Sequence, residues 1–140
     1  MLKTIIQASE NFCIHQIREP HMVSDGINEK RTLIAYVDID VENGKTHRVY
    51  IASDTSFMQR ISKLFLEEDD SDEETLIDMT LETANMIVGS AKVIAEEADE
   101  NQYTISTPRF EKVDNFDFEY DEAKIIKIEN DEMIIAIKEL

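Results

Sequence analysis

The stretch RTLIAYVDIDVENGKTHRVYIA, residues 31–52, decides the fold class. Leu33, Ala35, Val37, Ile39 and Val41 fall on one side of an extended chain, and Thr32, Ile34, Tyr36, Asp38 and Asp40 on the other. This is the period of two of a strand in a sheet. Asn43-Gly44 follows, the dipeptide that most readily takes the positive φ angles of a two-residue hairpin turn, and Thr46 to Ala52 resumes with Val49 and Ile51 on one face. A β-hairpin, and with it antiparallel pairing, is the consequence.

Towards the C-terminus, Ser53-Asp54-Thr55 offers an N-cap, and Phe57, Ile61, Leu64 and Phe65 at helical spacing predict a short amphipathic helix ending near Leu66. Residues Glu67 to Glu74 carry seven carboxylates in eight positions. Such a run has ligands for a hard cation but no glycine to fold them round one, so it reads as a solvated loop and helix start. Ser71 and Glu74 have capping-box spacing, which begins a long helix from about Asp72 to about Glu97. Its apolar members Ile77, Leu81, Ala84, Val88, Ala91 and Ala95 step by three or four and define a buried stripe.

After an acidic turn over Glu96 to Asn101, Tyr103 to Thr107 reads as a strand stopped by Pro108. Alternating Phe116, Phe118 and Tyr120 permit an edge strand within 109–122. Ala123 to Ile128 and Glu132 to Lys138, joined by Asn130-Asp131, form a second hairpin. At the other end, Leu2, Ile5, Ile6 and Phe12 suggest a helix over Met1 to Cys13, although Asn11 to Ile17 alternates equally well as a strand. Pro20, Asp25-Gly26 and Asn28 make 19–30 a loop or irregular strand. The expected architecture is α+β, a mostly antiparallel sheet with two long helices, in a single domain spanning residues 1–140.

Composition narrows the function. Against 14 Lys and Arg stand 31 Asp and Glu, a formal charge of -17, which repels phosphate backbones and anionic lipid and so disfavours nucleic acid or a membrane as partner. Apolar runs such as Phe12 to Ile14 and Ile134 to Ile137 are too short to span a bilayer, the N-terminus lacks an export pattern, and the lone Cys13 has no pairing partner; the chain reads as cytoplasmic. Gly26, Gly44 and Gly89 lie too far apart for a phosphate-cradling loop, and no metal-ligand spacing is present. His15, His21 and His47 have surface or incidental roles on this reading.

On the long helix, Asp78, Glu82, Asn85, Gly89 and Lys92 are spaced 4, 3, 4 and 3 and stay within one stripe beside the buried one. Glu82 and Asn85 are neighbours one turn apart, able to reach a common point outside the protein, and Gly89 removes bulk where another molecule approaches. By itself this pattern describes many solvated helix faces. Asp78-Met79-Thr80-Leu81-Glu82-Thr83-Ala84-Asn85-Met86-Ile87-Val88-Gly89, however, resembles the D-x-x-x-E-x-x-N-x-x-x-G signature of the CheC, CheX and FliY family of chemotaxis phosphatases. The preceding hairpin and short helix, and the Thr104-Ile105-Ser106-Thr107-Pro108 strand that follows, are similar to that family's setting. The resemblance covers roughly residues 31–140, leaves 1–30 as a divergent segment, and with a single E-x-x-N motif points to the CheX-like branch.

That resemblance implies hydrolysis of a phosphorylated aspartate on a CheY-like receiver domain. Asn85 is implied to orient the attacking water and Glu82 to pair with the receiver's active-site lysine. Asp78, Gly89 and Lys92 would belong to the docking surface. Met79 and Met86 either flank that surface as adaptable apolar contacts or pack in the core. No cofactor of its own is implied, the Mg2+ belonging to the receiver, and a homodimer built through the sheet is expected. The alternative is a non-catalytic receiver-binding adaptor or flagellar-switch component of the same fold.

Overall fold

The hairpin of residues 31–52 becomes the middle of the molecule. In the computed structural model, which describes residues 1–98 and 102–140, the sheet contains β1 (Met22–Asp25), β2 (Arg31–Val41), β3 (Thr46–Ser53), β4 (Tyr103–Ile105), β5 (Arg109–Asn115), β6 (Glu122–Ile128) and β7 (Asp131–Glu139). The strand order is β1-β6-β7-β3-β2-β4, β5 also pairs with β2, and every pairing is antiparallel. Of the expected turn over Glu96 to Asn101, Glu96 and Glu97 are instead the last residues of a helix, and 99–101 lie outside the described residues.

The central hairpin pairs Leu33 with Ser53 through to Asp40 with Thr46. Its turn differs from the two-residue form expected. The Val41 N–H donates to the Lys45 carbonyl (2.8 Å) and the Gly44 N–H to that of Val41 (2.9 Å), enclosing three loop residues of which only Gly44, at φ +91°, is left-handed. A type I turn closed by a glycine bulge matches strand twist as well as the two-residue form does.

Helix α1 (Leu2–Phe12) runs on without a break into a π-helical turn over Cys13–Ile17, ended by left-handed Arg18. Phe12, Cys13 and Ile17 are buried while Ile14, His15 and Gln16 are exposed, so 11–17 is helical and the alternative strand reading is overturned. Helix α2 (Thr55–Leu66) is capped as expected: Asp54 accepts the Phe57 N–H (2.8 Å) and, with its other oxygen, the Glu132 N–H of β7 (2.9 Å). Leu64 and Phe65, expected in its buried stripe, are 45% and 36% exposed in its last turn, although Phe65 meets Phe12 edge to face. Helix α3 (Glu73–Glu97) is capped by Asp72, which accepts the Thr75 N–H (2.8 Å), and the expected Ser71–Glu74 box does not form. The Ser71 hydroxyl faces that of Ser62 (2.6 Å) and the Glu68 carboxylate (3.0 Å) instead.

All three helices lie on one face of the sheet and share a core with Leu33, Val37, Ile39, Ile51 and Ile135. α3 is flanked by α1 and α2 and rests on β2, so it buries more than a stripe: Leu76, Met79, Thr80, Thr83, Ala84, Ile87, Val88, Ala91 and Ala95. Ile77 and Leu81, expected among the buried residues, are half-exposed. On the opposite face Ile34, Tyr50, Ala52, Ile125 and Ile134 are covered by Phe116, with Phe118 stacked on Tyr50 at 5.0 Å. The expected edge strand therefore stops at Asn115, and the following aromatic residues leave the ladder to roof the second core.

Candidate functional site

Helix α3 supplies one wall of the site. The nine buried residues fix its rotation, and the same rotation turns Asp78, Glu82 and Asn85 fully towards solvent, with Gly89 and Lys92 half-buried further along. Residues three apart on a helix stand about 5–6 Å apart at Cβ, so Glu82 and Asn85 reach one point together. Among the described residues, none donates to, accepts from or forms an ion pair with the side chain of Asp78, Glu82 or Asn85. Their polar ends are open to an external group.

A break in the sheet edge supplies the second wall. β4 and β5 lie consecutively along β2, pairing Ile39 with Ile105 and Tyr36 with Arg109. Between them Pro108 has no N–H for a ladder bond and the chain bows outward. Ser106 anchors the bow: its N–H and hydroxyl both donate to the Asp38 carbonyl (2.9 and 3.0 Å), and its hydroxyl accepts the Asp38 N–H (3.0 Å). β2 is stiffened at that point by Arg48, which holds the Asp38 carboxylate through two hydrogen bonds (2.7 and 3.0 Å) and lies 4.1 Å over the Tyr36 ring. Those bonds to Asp38 push the Arg48 guanidinium further up from its already high value.

Between the walls is an open cleft of about 590 Å³ lined by Asp78, Leu81, Glu82, Asn85, Ile105, Ser106, Thr107 and Pro108. Two carboxylates and a carboxamide face hydroxyl and apolar groups across it. The carboxamide both donates and accepts, and so can hold a water in one orientation without adding charge. The fold thus brings together Asp78, Glu82 and Asn85 and adds Leu81, Ile105 and Ser106, which the sequence reading placed in a buried stripe and a following strand rather than in the site.

The other candidates are placed apart. Met79 is buried in the core, at 6% exposure, so of the two roles left open for it, docking contact and core packing, it takes packing. Met86 lies on the far side of the stripe, in a separate groove with Ala8, Asn11, Phe12, His15, Gln16 and Ser90. A Cβ added to Gly89 would meet nothing within 4 Å, so no internal contact demands a glycine there. Cys13 is fully buried, and burial, with the nearby Glu10 carboxylate second, pushes its thiol up to about 12. His21 faces Glu10 at 3.1 Å, away from the cleft.

The fold is similar to that of a chemotactic CheC-like protein from Shewanella oneidensis MR-1, with 12% identity and a TM-score of 0.83 over 99% of this chain and 97% of that one. It is similar to chemotaxis protein CheX from Vibrio vulnificus (17% identity, TM-score 0.79, 99% and 98% covered). A chain of the CheX-CheY-BeF3-Mg2+ complex from Borrelia burgdorferi shares it too (16%, 0.71, 98% and 97%). Among curated proteins no sequence matches the chain. These likenesses define the class: an α+β protein of the CheC-like and CheX-like fold. In sequence, the model of the family described as chemotaxis phosphatase CheX matches residues 36–130. The chain belongs to the CheX family of chemotaxis phosphatases.

Proposed function

We propose that this protein hydrolyses the acyl phosphate of a phosphorylated CheY-like receiver domain, with Asn85 and Glu82 inserted at the receiver's active site. The observation that carries the reading is the pair itself: two polar side chains one turn apart, without a partner among the described residues, on the helix with the most buried residues and on the lip of an open cleft. In hydrolysis a water oxygen bonds to phosphorus as the bond from phosphorus to the aspartyl oxygen breaks, and the carboxylate leaves. Asn85 orients that water in line, accepting one of its hydrogens at Oδ1. Glu82 fixes the docking geometry through the receiver's lysine.

Phosphoryl transfer depends on positioning and charge stabilisation more than on covalent steps, so a neutral carboxamide suffices and avoids repelling the phosphoryl oxygens. The receiver brings the Mg2+; this chain contributes no metal ligand to the step. One positioning group of this kind is worth roughly 10²-fold or more in rate. A homodimer, implied by family resemblance, has a sheet edge available at β1, which among the described residues pairs only with β6.

The test is loss of phosphate from a receiver charged by a small phosphodonor, with this protein at about one-tenth of the receiver concentration. Wild type is expected to turn over many receivers, Asn85→Ala to lose at least about 10²-fold in rate while still binding, and Glu82→Ala to weaken binding. An Asn85→Ala protein as fast as wild type refutes the mechanism. Acceleration seen only at stoichiometric amounts replaces it with the adaptor reading.

A further inference from the structure

The last turn of α2 is the feature that the proposed site does not use. Leu64, Phe65 and Leu66 are 45%, 36% and 47% exposed, the only three consecutive exposed large apolar residues among the described residues. An exposed apolar run of this length is costly in a soluble domain unless something covers it. The patch rests against the end of α1, where Phe65 meets the buried Phe12 edge to face at 6.2 Å.

Immediately after it comes an acidic rim. Glu67, Glu68, Asp69 and Asp70 are all exposed, and among the described residues only Asp69 has a cation near it, Lys63 at 3.6 Å on a mostly exposed side chain. The rim does not wave freely. Gln59 ties both of its limbs, its Nε2 donating to the Glu68 carbonyl (3.0 Å) and its Oε1 accepting the Ser71 N–H (2.7 Å). The carboxylates are thus held beside the apolar step, and the order of association does not have to include folding of the loop.

We propose that Leu64, Phe65 and Leu66, with the Glu67–Asp70 rim, form a docking surface for an amphipathic helical segment of another protein that carries apolar anchors on one face and Lys or Arg beside them. Charge selects this occupant. A second copy of the chain would set one acidic rim against another, and anionic lipid is repelled by the rim and by the net charge of -17. A basic amphipathic helix satisfies both halves of the surface, its anchors covering the leucines and its cations meeting the rim. The surface is built from α2 and the loop before α3, and does not rest on the phosphatase reading.

The test uses the full chain and a fluorescent Leu/Lys peptide about four helical turns long, with its leucines at helical spacing, against a scrambled peptide of the same composition. The amphipathic peptide is expected to bind, and the scrambled one to bind at least about tenfold more weakly, since charge alone is left to it. Leu64→Ser with Leu66→Ser is expected to remove most of that difference, and Glu67→Gln with Asp70→Asn to weaken binding and flatten its salt dependence. All four side chains are exposed, so unchanged urea midpoints will verify that the variants fold. Equal affinity for the two peptides, binding of neither, or indifference to the leucine substitutions overturns the proposal. So does self-association at working concentrations that the leucine substitutions abolish, which would make a second copy the occupant.

Discussion

Replacing Gly89 by alanine separates what the glycine does inside the molecule from what it does outside. The residue sits within the long helix α3, far from either end, where glycine costs about 0.8–1 kcal/mol relative to alanine because the unfolded chain has more freedom to lose. An added Cβ would touch nothing within 4 Å, so no overpacking offsets this gain. Gly89→Ala should stabilise the protein by about 1 kcal/mol, a rise of roughly 3–5 °C in Tm for a domain of this size. The assay is urea denaturation followed by far-UV circular dichroism, with the slope of the transition unchanged and the midpoint raised. If Gly89 belongs to the proposed docking face, the same substitution should weaken receiver association, because its methyl group would stand where the receiver approaches. A lower midpoint would refute the reasoning, since it would mean that the glycine serves internal packing after all. A raised midpoint with association intact would leave the stability argument standing and remove Gly89 from the docking surface.

Three other outcomes follow from the structure. Asp54→Ala should cost about 1–2 kcal/mol for the lost cap and about 1 kcal/mol or more for the orphaned Glu132 N–H, read as a lower urea midpoint. Glu132 is held below its ordinary carboxylate value, first by the hydrogen bond from Lys30, while burial acts in the other direction. A depressed folded value contributes stability that is present above the unfolded value near 4.5 and is lost as the pH falls through the folded one, so the stability gap between wild type and Glu132→Gln should be flat at neutral pH and close on acidification. A gap independent of pH would contradict it. Cys13, buried and pushed up to about 12, should react with an aromatic disulfide reagent only at the rate of global unfolding, and fast labelling of the native protein would show that α1 opens on its own.

The parts of the fold legible in the sequence are those whose burial is one-sided. β2 and β3 alternate because one face meets the helices, and α3 announces itself by length and the absence of proline. The width of its buried surface was not legible, because flanking by α1 and α2 hides Thr80 and Thr83, residues that composition alone leaves on either face. Both threonines satisfy their hydroxyls locally, Thr80 donating to the Leu76 carbonyl at 2.8 Å and Thr83 to the Met58 sulfur at 3.7 Å. The same crowding takes Met79 inward. At the start of α3, Ser71 and Asp72 are rival caps in adjacent positions, and the bond from Ser62 decides between them. Half of the candidate site was legible, because Glu82 and Asn85 share a helix face by spacing alone. The facing wall was not, because the placement of Ser106 and Pro108 depends on the register of β4 and β5 along β2, a long-range choice that no local pattern encodes.

The broken edge also dates the cleft within the life of the chain. During synthesis from the N-terminus, the residues of α3, Asp78, Glu82 and Asn85 among them, are made before residues 105–108. β2 has β3 as an early neighbour but must wait for β4 and β5, its other flank, until the intervening helices have emerged. Pairings this distant along the chain are slow to form compared with a local hairpin. The cleft therefore joins residues made early to residues made late, and it is complete only once β4 and β5 have found their register along β2.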